Sequence, residues 1–103
     1  MQELTHYING AHVAGASGRF SNVYNPATGE VQAKVPLASA DEMAQAVEIA
    51  AAAQVAWGAV NPQRRARVMM KFVDLLNRDM DALAEALSRE HGKTLPDAQG
   101  DVQ

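Results

Sequence analysis

The sequence predicts an α+β fold, with two β-hairpins near the amino terminus followed by three or four α-helices. Three observations carry that reading. Residues 1–38 hold short β-prone runs separated by turn dipeptides. Residues 39–91 repeat apolar side chains at spacings of three and four. Capping residues stand at the head of the helical stretches. Residues 1–38 are therefore a β-hairpin region and 39–103 a helical region.

The elements follow in order. Thr5 to Ile8 is short and β-prone and runs into Asn9-Gly10. A type I′ hairpin turn needs positive φ at both central residues, which Asn-Gly supplies. Ala11-His12-Val13 is the returning strand, and Gly15-Ala16-Ser17-Gly18 a loop. Phe20 to Tyr24 is the third strand, and Asn25-Pro26-Ala27-Thr28-Gly29 the second turn. Glu30 to Val35 alternates, with Val31, Ala33 and Val35 on one face, and Pro36 ends it.

Ser39 with Glu42 three residues later is a capping box. Met43, Ala46, Ala50, Ala53 and Trp57 then form an apolar stripe, and Gly58 is a stop signal. Asn61-Pro62 restarts a helix, with Asn as cap and Pro at its first position. Ala66, Met69, Val73, Leu76, Met80, Leu83 and Leu87 continue a strict three-four alternation. Asn77-Arg78-Asp79 splits this stretch into two helices with Asp79 as cap; one long coiled coil is the alternative. His91-Gly92 ends the helix, and Thr94 with Asp97 opens another, with Pro96 in its first turn. An isolated helix that short is marginal in water, so the expectation is that Gln103 falls inside a structural unit.

Composition narrows the classes of function. Among 103 residues, 48% are hydrophobic, yet 20 are Ala and only 21 are Leu, Ile, Val or Phe. A chain of this size buries about 60–65% of its unfolded surface, and alanine adds little to that burial. The expected core is thin. Cysteine is absent, which excludes a disulfide framework, a thiolate metal site and a cysteine nucleophile in this span. No apolar run approaches the ~18 residues of a membrane helix. The amino terminus lacks a signal or transit pattern, so the expected location is cytoplasmic. The net charge of −3 argues against nucleic-acid binding.

Candidate chemistry is sparse. His6, His12 and His91 lack metal-ligand spacing, although His6 and His12 approach across the first hairpin. Arg64, Arg65, Arg67 and Lys71 form a basic cluster, read as a solvated helix face or an ion-pairing surface for another subunit or domain. No Gly-rich phosphate loop is present, and no carboxylates pair as an acid/base couple. Glu90 and Lys93 read as a terminal ion pair or cap around His91-Gly92.

The order of short motifs is more informative. Tyr7-Ile8-Asn9-Gly10, Asn25-Pro26-Ala27-Thr28-Gly29-Glu30-Val31, an Ala-rich helix ending at Trp57, Pro62, Arg65-Ala66, Lys71-Phe72, Leu75-Leu76 and Glu90-x-Gly92-Lys93 follow one another along the chain. This series resembles the start of the NAD(P)-dependent aldehyde dehydrogenase superfamily. Asn22-Val23-Tyr24, the run from Asn61 to Met69, and the stretch from Ser88 to Val102 are similar to its CoA-acylating, methylmalonate-semialdehyde branch. Succinate-semialdehyde or betaine-aldehyde branches, and a stand-alone helical interaction module working through the 66–87 stripe, are the alternatives.

The resemblance implies that the chain is the incomplete N-terminal part of an NAD-binding domain, within an α/β fold whose cofactor domain is of Rossmann type. It implies a cysteine nucleophile, hydride transfer to NAD, loss of carbon dioxide and acyl transfer to CoA, giving propionyl-CoA or acetyl-CoA. A thiolate and an oxyanion-stabilising amide are what that chemistry needs. No catalytic and no cofactor-binding residue transfers to this chain, and neither NAD nor CoA is expected to bind it alone. Val23, Tyr24 and Glu90 match positions that bind a monovalent cation in some relatives; carbonyl and carboxylate oxygens suit a hard cation. The implied partners are the rest of an aldehyde dehydrogenase chain and further copies in a homo-oligomer, a tetramer in the family, with no nucleic acid and no membrane.

The stripe of Met69, Val73, Leu76, Met80, Leu83 and Leu87 is too apolar to face water, and an Ala-rich helix and two short hairpins cannot cover it. The isolated chain is expected to be oligomeric, aggregation-prone or molten, to bind ANS, and to be frayed from Thr94 to Gln103. Light scattering with dye fluorescence across a concentration series checks this. A monodisperse, dye-free monomer would contradict it.

Overall fold

In the computed structural model, which describes residues 1–103, Asn9 and Gly10 both carry positive φ, at 55° and 74°. They join strands β2 (His6–Ile8) and β3 (Ala11–Val13) into an antiparallel hairpin with Ile8 opposite Ala11, Tyr7 opposite His12 and His6 opposite Val13. The second hairpin is also formed. Strand β4 (Phe20–Tyr24) and strand β5 (Val31–Pro36) are hydrogen-bonded neighbours. Their turn is closed by Asn25: its side-chain oxygen accepts the Ala27 N–H at 2.9 Å and its carbonyl accepts the Gly29 N–H at 2.7 Å.

One strand is new. Gln2–Glu3 (β1) lies parallel to β5, with Gln2 opposite Ala33 and Glu3 opposite Lys34, giving the sheet order β1-β5-β4. The Leu4 N–H continues the pairing to the Lys34 carbonyl at 2.9 Å. Gln and Glu have no strand preference; main-chain bonding to β5 recruits them.

Four helices follow: α1 (Ala40–Ala59), α2 (Pro62–Arg78), α3 (Met80–His91) and α4 (Leu95–Val102). The capping box forms reciprocally, with Ser39 Oγ accepting the Glu42 N–H at 3.1 Å and Glu42 Oε1 accepting the Ser39 N–H at 3.0 Å. Gly58 does not stop α1. It has no positive φ, and the helix runs through it to Ala59. The stop comes from Asn61, extended at φ −51° and ψ 134°, because a residue preceding proline is excluded from helical geometry. Its side chain then caps α2 by accepting the Gln63 N–H at 2.8 Å.

The long apolar stretch is two helices, not one coiled coil. Asp79 (φ −101°, ψ 17°) ends α2 and precedes α3. It divides them by conformation and not as a side-chain cap, because its carboxylate is held by Arg78 at 2.8 and 2.9 Å. That ion pair lowers the Asp79 pKa. Gly92, left-handed at φ 87°, closes α3 by donating to the Ser88 carbonyl at 2.8 Å. Thr94 Oγ1 accepts the Asp97 N–H at 3.4 Å and opens α4. This short helix is not isolated. It packs on α3, where Ala98 and Ala84 are 0% and 1% exposed, and Gln99 donates to Asp81 at 3.3 Å.

Compactness divides the chain differently from secondary structure. One unit comprises residues 1–23 and 31–59; the other comprises 24–30 and 60–103. In the first, the α1 stripe is not buried: no residue of α1 is, and Met43 and Trp57 are exposed. Val47, Ile49 and Val55 are exposed as well, so the exposed apolar side chains of α1 are not confined to one face and stand among Asp41, Gln45, Glu48 and Gln54. In the second, Leu76, Met80 and Leu87 are half-buried, while Met69 and Val73 are 54% and 51% exposed. No single helix is long and apolar enough to cross a membrane.

Gly92 provides a test of the second unit. A Cβ there would come within 2.9 Å of Pro26 Cγ, and a left-handed residue with a side chain costs about 1–2 kcal/mol. Gly92→Ala is expected to lower stability by at least that amount, read as a shifted denaturation midpoint of the helical circular-dichroism signal. An unchanged midpoint would show that this corner tolerates a side chain.

Candidate functional site

The three residues matched to a cation site fall in both units. Val23 is half-buried in β4 and belongs to the first. Tyr24 and Glu90, both exposed, belong to the second. Within that second unit the Asn25-Pro26 turn meets the end of α3, since the close approach of Pro26 to Gly92 places the turn beside the corner that follows Glu90. A main-chain carbonyl and a carboxylate are suitable donors for a hard cation. The side chains make no cluster of three His, Cys, Asp or Glu.

The hairpin register separates the histidines expected to approach one another. Successive residues of a strand point to opposite faces. His6 opposes Val13 and His12 opposes Tyr7, so the two lie on opposite faces. His12 accordingly makes an edge-to-face contact with Tyr7 at 5.2 Å and a hydrogen bond with Thr5 Oγ1 at 3.0 Å. His91 is the last residue of α3 and exposed. In the basic cluster, Arg64, Arg67 and Lys71 are exposed and Arg65 is half-buried. Arg67 and Lys71 flank an apolar patch of Val68, Phe72 and Leu75 on α2.

The most developed polar arrangement centres on Glu42. Beyond its capping role, Glu42 Oε2 accepts the Ala16 N–H at 3.1 Å and lies 3.9 Å from His6 Nε2. The side chains of His6 and Glu42 are 19% and 17% exposed, and His6 Nε2 itself is buried without a hydrogen bond. One carboxylate thus bonds the helix start to the loop after β3 and lies beside strand β2. Its pKa is lowered, first by the Ser39 N–H and then by the Ala16 N–H, both of which favour the charged acceptor. Sequence reasoning found the Ser39 contact, which is local. The contact to Ala16 spans 26 positions and leaves no local signal.

Beside this clasp, the hairpin and α1 leave an open groove of about 440 Å³, lined by residues including Ile8, Asn9, Val13, Gln45, Ala46 and Ile49. It offers apolar walls and one carboxylate already committed to main-chain N–H groups. No nucleophile and base stand together among its lining residues.

Comparison with known proteins places these elements in a larger frame. The sequence model of the aldehyde dehydrogenase family matches residues 12–103. The chain is 43% identical over 103 residues to the malonate-semialdehyde dehydrogenase of Pseudomonas aeruginosa, covering all of this chain and 20% of that protein. It superposes with a TM-score of 0.94 on a Sinorhizobium meliloti protein assigned as a methylmalonate-semialdehyde dehydrogenase and solved with NAD. The two are 66% identical over 98% of this chain and 21% of that one. The methylmalonate-semialdehyde dehydrogenase of Oceanimonas doudoroffii gives 40% identity and a TM-score of 0.94, over 100% of this chain and 21% of its own. The chain thus spans about a fifth of the length of the relatives it matches.

The Glu42 clasp predicts a pH dependence. A carboxylate whose folded pKa lies below its unfolded value of about 4.3 stabilises the fold above that value, and this contribution is lost as pH falls from there through the lowered folded pKa. The first unit is therefore expected to weaken below about pH 4.3, followed through Trp57 fluorescence in α1. Glu42→Gln should be less stable at neutral pH and show a flatter acid dependence. Parallel pH profiles for the two proteins would exclude Glu42 as the source.

Proposed function

The chain belongs to the aldehyde dehydrogenase family, and from that premise we propose that it serves as the amino-terminal segment of an NAD-dependent, CoA-acylating malonate- or methylmalonate-semialdehyde dehydrogenase. The observation that carries this reading is the 66% identity and 0.94 TM-score to the Sinorhizobium meliloti protein over nearly the whole chain. The branch reading is further supported by the Pseudomonas and Oceanimonas relatives.

The segment's part in the reaction is structural. With no cysteine in the chain, the thiolate that attacks the aldehyde comes from outside these residues, together with the donors that stabilise the oxyanion. NAD, when bound, supplies the hydride acceptor. What this segment contributes is surface: the exposed Met43, Val47, Ile49, Val55 and Trp57 of α1 and the Val68, Phe72 and Leu75 patch of α2 suit packing against the remainder of a dehydrogenase. Tyr24 and Glu90 supply oxygen donors toward a monovalent cation. Carbon dioxide loss, acyl transfer to CoA, a homo-oligomeric assembly and a cytoplasmic location belong to the same reading.

A chimera tests it. This chain replaces the corresponding amino-terminal fifth of the Oceanimonas doudoroffii enzyme, and NADH formation is followed with malonate and methylmalonate semialdehydes, with and without CoA. The chimera is expected to keep activity within about an order of magnitude of the parent, a barrier change near 1.4 kcal/mol, while the 103-residue chain alone forms no NADH. A folded chimera without activity, or turnover by the chain alone, would overturn the reading.

A further inference from the structure

The Asn9-Gly10 turn holds chemistry that the dehydrogenase reading does not use. The chain has five asparagines, at positions 9, 22, 25, 61 and 77. In an asparagine, the main-chain nitrogen of the next residue can attack the side-chain carbonyl carbon. Asn25 and Asn61 precede proline, whose nitrogen carries no proton. Asn22 precedes the β-branched Val23 within β4, and Asn77 lies inside α2. Only Asn9 precedes glycine, is exposed, and lies in a turn where nothing stands within 4 Å of the position a Gly10 side chain would occupy.

We propose that Asn9 is a site of spontaneous covalent modification, converted with Gly10 to a succinimide and then to isoaspartate or aspartate at a rate set by opening of the β2–β3 turn. In the first step the Gly10 nitrogen bonds to Asn9 Cγ. The Cγ–Nδ2 bond breaks, and ammonia leaves with the proton from the Gly10 N–H. Water then opens the ring. Attack at Cγ gives aspartate with the original main chain; attack at the Asn9 main-chain carbonyl carbon gives isoaspartate, with the chain running through Cβ. The net change is amide plus water to carboxylate plus ammonium, with no redox partner.

The turn explains the gating. Ring closure needs Asn9 Cβ and the Gly10 nitrogen to eclipse about the Cα–C bond. A left-handed residue, as Asn9 is at φ 55°, holds ψ near +47°, which keeps those atoms on opposite sides. The closed hairpin therefore resists the reaction and the opened one permits it. The product acts on the fold. Isoaspartate adds a main-chain atom to the two-residue loop that fixes Ile8 opposite Ala11, and either product places a carboxylate at the edge of the groove that Asn9 lines.

The experiment incubates the 103-residue chain at mildly alkaline pH beside a synthetic peptide of residues 1–19, the first tryptic fragment, whose single asparagine is Asn9. Mass spectrometry follows the one-unit gain of amide-to-acid exchange, and isoaspartyl methyltransferase labelling identifies the isomer. The expected result is conversion in fragment 1–19 ahead of every other asparagine-containing fragment, several-fold slower than in the free peptide, and absent in Asn9→Gly, which keeps a turn-compatible residue. Equal rates in chain and peptide would overturn the gating. Conversion led by another asparagine, or a mass gain surviving in Asn9→Gly, would overturn the site.

Discussion

The buried apolar core of this chain is three alanines, Ala33, Ala84 and Ala98. A methyl group contributes far less than a Leu or Phe side chain, so hydrophobic burial cannot by itself decide where each element begins and ends. Directional bonds do so instead. Ser39 and Glu42 set the start of α1, Asn61 the start of α2, Thr94 the start of α4, and Asn25 the second hairpin turn. Each such cap is worth about 0.5–2 kcal/mol, comparable to a buried side chain. Where α4 packs on α3, the one buried residue of each helix is an alanine, Ala98 and Ala84.

Most of these boundaries were legible in the sequence because the chemistry that makes them is local. A cap links residues two or three positions apart, and a type I′ turn is written in two adjacent residues. Strand β1 was not legible, since Gln2 and Glu3 enter the sheet through main-chain bonds that any residue could make. The reach of Glu42 to Ala16 and His6 was hidden for a different reason: it depends on how the loop after β3 meets α1. The opposite faces of His6 and His12 follow from the one-residue register of the hairpin. Gly58 misled because glycine permits a helix stop without requiring one, and the proline at position 62 supplied the stop.

The candidate site was less legible than the fold, and the physical cause is the same scarcity. A catalytic constellation needs side chains held in place by packing on several sides. Here no residue of α1 is fully buried, and α2 carries Met69, Phe72 and Val73 in the open. The order of weak motifs along the chain was therefore more telling than any cluster of residues. Relatives about five times longer share this arrangement of elements at TM-scores of 0.94, which assigns the segment to a family without placing a reacting group in it.

The two compact units are interleaved along the chain. Residues 24–30 belong with the carboxy-terminal helices, yet they are strung between β4 and β5, which belong with the amino-terminal unit. The backbone therefore passes from one unit to the other three times, and no single cut yields both intact. A truncation after Ala59 would strand the 24–30 turn without the Gly92 corner it packs on. One that starts at Val60 would leave that corner without Pro26. A break anywhere between residues 31 and 58 therefore divides both units at once, so a chain crossover placed there damages two packing arrangements with one cut.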